Sequence, residues 1–183
     1  MIKENQRLLN YINIVSDAFV ILLSLPVAFL IRFYVLKSGV INVPLAEYLE
    51  TSFLLSALYI FTFGAFGLYR SFRGVPLLRE LSRLWVACLL DMSLVLSYLF
   101  IQHSDNYSRL AMAIFFVISL SALSAKRWLL RRILRSMRAK GYNLKHVIIL
   151  GSGPLAQNYL AAIRSDPELG FHAIGYVDSI SDL

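Results

Sequence analysis

Residues Ile14–Ile31 read IVSDAFVILLSLPVAFLI, with one charge, Asp17, and one proline, Pro26. The apolar block around them runs from about Leu8 to Leu36. A hydrocarbon core of about 30 Å is crossed by roughly 20 apolar residues in a helix, so this block reads as a membrane span. Three further blocks follow, at about Tyr48–Tyr69, Leu84–Ile101 and Leu110–Leu130. The whole chain of 183 residues is 58% hydrophobic and 16% charged, whereas soluble domains run at about half apolar and about a quarter charged. The excess sits in blocks, which excludes an ordinary water-soluble globule and a disordered tail. The expected fold is mainly α: a four-helix transmembrane bundle with left-handed packing over residues 1–140, then a partial Rossmann-like βαβ unit over residues 141–183.

The first block does not read as a cleavable signal peptide. Asp17 interrupts it, Pro26 bends it, and it is longer than a signal's apolar region. The single cysteine, Cys88, excludes an internal disulfide and a CxxC metal knuckle. It lies within the third block and reads as a buried, inert thiol. His103, His146 and His172 share no metal-ligand spacing, so no metal site is expected.

The chain carries 18 Lys and Arg against 11 Asp and Glu, a net charge of +7. Fourteen of those bases fall on one side of the four spans. Lys3 and Arg7 precede the first. Arg70, Arg73, Arg79 and Arg83 lie between the second and third. Lys126, Arg127, Arg131, Arg132, Arg135, Arg138, Lys140 and Lys145 close or follow the fourth. The opposite side holds Arg32, Lys37 and Arg109. The positive-inside rule therefore places both termini in the cytoplasm, with Gln102–Ser108 as a tight outer hairpin. Lys126 and Arg127 are expected to snorkel at the inner end of span four. The segment KRWLLRRILRSMRAK (Lys126–Lys140) continues that span and then skirts an anionic leaflet, each base contributing about 1 kcal/mol. Topology accounts for these charges, so no nucleic-acid partner is implied.

Asp17 and Asp91 interrupt apolar blocks, and Arg32 sits near the outer end of the first. A charge at the bilayer centre costs about 2.5–3.5 kcal/mol on insertion scales, so each needs a partner. Both aspartates are expected to face the inner half of the bundle and pair with the Arg70–Arg83 loop. A transport or headgroup role is the alternative. Ser16, Ser24, Ser56, Ala57, Gly64, Ser93, Ser97, Ser119 and Ser121 offer small faces for helix packing.

From Gly141 the character changes. Val147–Leu150 is a β-branched run fit for a buried parallel strand. Gly151, Gly153 and Ala156 give G-x-G-x-x-A directly after it, Leu155–Arg164 reads as a helix, and Ala173–Val177 as a second strand ending at Asp178. Such a turn lets a pyrophosphate approach the helix N-terminus, with an acidic residue on the ribose. Asp178, however, lies beyond the usual spacing of about 20 residues, and one βαβ unit is half of a dinucleotide fold. Two readings stay open: a nucleotide site at Gly151, Gly153, Ala156 and Asp178, or a plain strand-to-helix turn.

These residues together resemble the N-terminal region of the bacterial polyprenyl glycosylphosphotransferases. The resemblance rests on Asp17 and Arg32 in span one, and on Gly67-Leu68-Tyr69-Arg70 with Arg73 after span two. Glu80 follows in E-L-x-R-L-x-x-A, Ser108-Arg109 opens span four, and Arg127 and Arg131 mark its exit. The tail adds Gly151-Ser152-Gly153, Pro167, Gly170 and Gly175-Tyr176-Val177-Asp178. The resemblance implies an enzyme of the bacterial inner membrane that transfers a sugar 1-phosphate from a UDP-sugar to undecaprenyl phosphate, initiating exopolysaccharide, capsule or O-antigen synthesis. It implies an Asp-Glu nucleophile pair and Mg²⁺ in a C-terminal catalytic domain that begins beyond Leu183. No catalytic residue carries over to this chain, and no cofactor is expected within it. The expected role is a membrane anchor, regulatory module or dimerisation platform in contact with the bilayer, anionic lipids and undecaprenyl phosphate. Membrane-bound nucleotide-sugar dehydratases and epimerases share a similar four-span region. The Glu80 context, and Asn106-Tyr107 before Ser108-Arg109, fit the transferases better. A freestanding anchor and a small transporter are the remaining alternatives.

Overall fold

The computed structural model describes residues 2–37, 43–69, 75–101, 107–141, 144–150, 153–165 and 170–177. Helix α1 (Ile2–Leu30) runs into one π-helical turn, Ile31–Val35. Helices α2 (Leu45–Ala65), α3 (Leu77–Ile101) and α4 (Arg109–Ala139) follow. Strand β1 (Lys145–Leu150), helix α5 (Pro154–Ser165) and strand β2 (Phe171–Val177) complete the order. Among the described residues, four helices are long and apolar enough to cross a membrane: Leu8–Val35, Leu45–Ala65, Leu77–Ile101 and Arg109–Arg138. The protein is a mainly helical membrane protein.

Two span boundaries differ from the sequence reading, for local reasons. The second helix stops at Ala65 instead of Tyr69. Gly67 takes φ +67°, its amide bonds the Gly64 carbonyl at 3.0 Å, and the Leu68 amide bonds the Phe63 carbonyl at 2.9 Å. That is a Schellman ending with glycine in the left-handed position. The third helix begins at Leu77, seven residues before its apolar run, directly after Pro76. Hydropathy marks where a helix is greasy, not where its backbone begins. Glu80 consequently lies in the first turn of α3.

The chain divides into two compact units, Arg7–Arg127 and Met1–Gln6 with Trp128–Leu183. In the first, Ile21, Leu25 and Phe29 of α1 join the same buried cluster as Tyr59 and Phe63 of α2, Leu84 and Cys88 of α3, and Met112, Phe115 and Leu123 of α4. Tyr59 packs edge-on against Phe63 and Phe115, with centroids 5.8 and 6.1 Å apart. Of the small residues expected to line helix contacts, Ser24, Ser56 and Ser119 are buried. Ala57, Gly64, Ser93, Ser97 and Ser121 face outward instead. Ala28, Ser52, Ala87 and Ala111 fill the buried small positions, because helical rotation, not residue type, decides which face meets a neighbour. Large apolar side chains such as Phe61 and Phe100 are 77% and 84% exposed, as a lipid-facing surface requires.

In the second unit β1 and β2 pair in parallel, from Lys145 opposite Phe171 to Leu150 opposite Val177. The register shifts between Val147 and Ile148, leaving Ile174 as the extra residue of a bulge. Ile149, Leu160 and Ile163 are buried. The connection is a β–α–β crossover, and among the described residues the sheet has two strands. A doubly wound Rossmann sheet has more. Gly170 opens β2 at φ +69°, and a Cβ there would stand 2.7 Å from Cδ of Arg138. Arg132 lies over the Trp128 ring at 5.5 Å.

Candidate functional site

The charged residues of the Arg7–Arg127 unit converge on one carboxylate. Asp17, fully buried on α1, accepts a hydrogen bond from Lys126 Nζ on Oδ1 at 2.5 Å and from Arg127 Nη2 on Oδ2 at 2.8 Å. Lys126 Nζ also bonds the carbonyl of Asn13 at 2.8 Å, one turn before Asp17 on the same helical face. Arg127, 2% exposed, reaches three elements besides its own. Its Nη1 donates to the Leu68 carbonyl at 3.2 Å and lies 3.8 Å from Oε1 of Glu80. Its guanidinium stands over the Tyr69 ring at 5.9 Å.

The local sequence explains each position. The Schellman ending turns the Leu68 carbonyl out of the α2 ladder and toward Arg127. The early start of α3 puts Glu80 in reach. Arginine's planar fork suits it to several acceptors at once. Removing ions from water costs several kcal/mol each, offset only when partners and hydrogen bonds are complete. Here both Asp17 oxygens hold a cationic donor. A carboxylate so occupied is a poor nucleophile or base; the knot ties α1, α3, α4 and the turn after α2 together. Burial, and then the Asp17 carboxylate, push the Tyr69 phenol above its ordinary value, with Arg127 pulling the other way. Tyr69 therefore stays neutral beside the ion pair.

This arrangement corrects the sequence reading at two points. The described partners of Asp17 are Lys126 and Arg127 of α4, in place of the expected Arg70–Arg83 loop, because the bundle packs the end of span four against α1; Arg70 and Arg73 of that loop lie outside the described residues. Arg127 is buried instead of snorkelling. Asp91 is also fully buried. Its described partner is the Thr62 hydroxyl, which donates to Oδ1 at 2.6 Å. The partnership of Asn13 and Asp17 with a Lys-Arg pair had a signal in sequence: one polar face on α1 and two adjacent bases in an apolar helix. The role of Thr62 had none.

The remaining motif residues fall into three groups. Gly67, Leu68, Tyr69 and Glu80 belong to the knot. Arg70, Arg73, Gly151, Ser152, Pro167 and Asp178 lie outside the described residues. At the other end of the bundle Arg32 Nε donates to Ser108 Oγ at 3.1 Å, and the Ser108 amide donates to Tyr48 OH at 3.4 Å. Ser108 caps α4 by accepting the Ala111 amide at 3.4 Å, and Arg109 is exposed in the first turn. In the second unit Arg131 lies on α4 and Gly153 is exposed just before α5. Ala156 is half-buried within α5, and Gly175, Tyr176 and Val177 lie in β2. Among the described residues, no three His, Cys, Asp or Glu side chains group closely enough to hold a metal ion.

Residues 64–182 match a family described as CoA-binding domain. The match runs from the end of α2 through β2 and takes in Leu68, Tyr69, Glu80 and Arg127 of the knot. The chain is also similar to the UDP-glucose:undecaprenyl-phosphate glucose-1-phosphate transferase of Xanthomonas campestris pv. campestris. The two are 32% identical over 145 residues, covering 77% of this chain and 29% of that protein. The chain thus spans less than a third of the length of this relative.

Proposed function

Because this chain belongs to the polyprenyl glycosylphosphotransferase family, we propose that it is the membrane-anchoring and regulatory part of an enzyme that transfers a sugar 1-phosphate from a UDP-sugar to undecaprenyl phosphate. The observation that carries this reading is the 32% identity over 145 residues to a protein named for that transfer. The physical role of the described residues fits it. The Asp17–Arg127 knot holds four helix-forming segments in one arrangement inside the bilayer, and the basic run on α4 meets anionic headgroups at the inner surface. Both termini face the cytoplasm of a bacterial inner membrane, following the fourteen bases on that side. No cofactor is proposed for the described residues; because the chain covers 29% of the relative's length, the phosphoryl chemistry and its Mg²⁺ are proposed to belong to a part of the enzyme outside these helices.

Two measurements test the proposal. The purified 183-residue chain, given a labelled UDP-sugar and undecaprenyl phosphate, is expected to form no lipid-linked sugar phosphate; turnover by the chain alone overturns the anchor reading. Reporter fusions at both ends are expected to report the cytoplasm, and one inserted near Gln102–Ser108 the opposite side. A reversed pattern would sink the orientation.

A further inference from the structure

We propose that Arg32, Ser108 and Tyr48 form a binding site for a phosphate monoester, carried by a membrane lipid or free in water, at the end of the bundle opposite Asp17. Arg32 lies fifteen residues beyond Asp17 on the same helix, about 22 Å along it at 1.5 Å per residue. It sits on the π-helical turn, where the Leu36 amide reaches back five residues to the Ile31 carbonyl at 2.9 Å.

The contrast with Arg127 motivates the site. Arg127 has Asp17 and Glu80 against it. Arg32 has no carboxylate within ion-pair distance among the described residues; Glu47 and Glu50, at the same end, are exposed and make no ion pair with it. Its Nε is taken by Ser108, and its guanidinium lies 5.8 Å from the Phe33 ring centroid. Its Nη1 is buried with no hydrogen-bond partner among the described residues. A half-buried cation with an unmet buried donor and, among the described residues, no counter-charge is costly in an apolar surrounding, and an anion in front of it removes both costs.

The neighbours supply the other donors. Ser108 Oγ accepts from Arg32 and from the Ala111 amide, and Tyr48 OH accepts from the Ser108 amide. Each therefore keeps its own hydroxyl hydrogen for a further acceptor. Ser108 also opens α4, whose N-terminal dipole favours negative charge. Phe29, Tyr48 and Tyr107 pack at a tilt in a row, with centroids 4.9 and 5.2 Å apart, a ring-lined wall that strengthens a charge-assisted bond. An arginine fork, two hydroxyls and a helix N-terminus together suit an oxyanion with several acceptor oxygens, and phosphate is the abundant one at a membrane surface.

The test uses the whole chain in a maltoside detergent, which carries no phosphate. Phenylglyoxal modification of Arg32 is followed by mass spectrometry with phosphatidic acid in the micelles, with inorganic phosphate in the buffer, and with neither. Occupancy is expected to slow Arg32 modification by about tenfold, the change that about 1.4 kcal/mol of binding produces. Protection by phosphatidic acid identifies a lipid-borne phosphate, and protection by inorganic phosphate alone a free one. Equal rates in all three samples overturn the site. By native mass spectrometry Arg32→Gln is expected to carry one bound phosphatidic acid fewer than wild type, the basic run on α4 keeping its own, and an unchanged number counts against the proposal. Should that variant not fold, the wild-type protection measurement still decides. None of these readouts involves sugar transfer, so they stand apart from the transferase reading.

Discussion

Arg127 on α4 and Asp17 on α1 are 110 residues apart in sequence and 2.8 Å apart in the bundle. Both are almost completely enclosed, and Lys126 shares the same carboxylate. Positions that look unrelated along the chain, a glycine turn, a helix-start glutamate and two bases in an apolar run, are therefore parts of one electrostatic unit.

Removing one member of such a unit leaves the others buried and uncompensated. Asp17→Asn is expected to destabilise the protein by about 3–5 kcal/mol, read from reversible unfolding in detergent. The double variant Asp17→Asn with Arg127→Gln is expected to lose less than the sum of the two single losses, because each single change already breaks the pair. Additive losses would show that the two side chains are not coupled.

Asp91 is buried too, but its described partner is a neutral hydroxyl. Asp91→Asn keeps a carbonyl oxygen to accept the Thr62 bond and is expected to change stability by less than about 1 kcal/mol. Thr62→Val removes the donor and leaves a buried carboxyl oxygen unmet, at a cost of about 1–3 kcal/mol. The same unfolding measurement checks both, and a large loss in Asp91→Asn would reveal a cation that depends on its charge.

Tyr69 gives the pH dependence. Its phenol is raised above the ordinary value of 10.0 in the folded protein, first by burial and then by Asp17. A group raised by folding contributes stability that is complete below its unfolded value and is lost as pH climbs toward the folded one. Above about pH 10 wild type is expected to lose stability more steeply than Tyr69→Phe, by about one proton's worth of slope. Parallel curves would mean that the phenol titrates as it does in the unfolded chain.

The described start of α5 offers few free donors. Pro154 removes one first-turn N–H, and the Ala156 and Gln157 amides bond the Gly153 carbonyl at 3.0 and 3.2 Å. Of the described first-turn amides, Leu155 keeps its N–H for a phosphate. Coenzyme A is therefore expected to show no saturable binding up to about 1 mM, an affinity below about 4 kcal/mol, by calorimetry on the purified chain. Micromolar binding would restore the nucleotide reading of Gly151, Gly153, Ala156 and Asp178.

Much of the fold was legible because two periodicities are local. Apolar length alone marks Leu8–Val35 and its three companions. The β-branched run and the glycines mark a strand, a helix and a second strand, and these pair in parallel. Helix ends were less legible. The stop at Ala65 depends on Gly67 adopting a left-handed conformation, and the start at Leu77 on Pro76; neither changes hydropathy. The small residues misled for the same reason: composition does not say which way a serine points.

The amino-acid sequence by itself determined that this protein lies in a membrane, how many helices are apolar enough to span it, and which ends carry the positive charge, because all three follow from transfer energies summed along the chain. The tertiary structure decided which charges meet. Asp17 had several bases to choose from, and sequence distance carries no information about that choice. Packing α4 against α1, and turning the Leu68 carbonyl out of α2, bring Lys126 and Arg127 to it. Coulomb energy inside an apolar bundle rewards contact and little else, so the partner is whichever cation the helix packing delivers to a few ångströms.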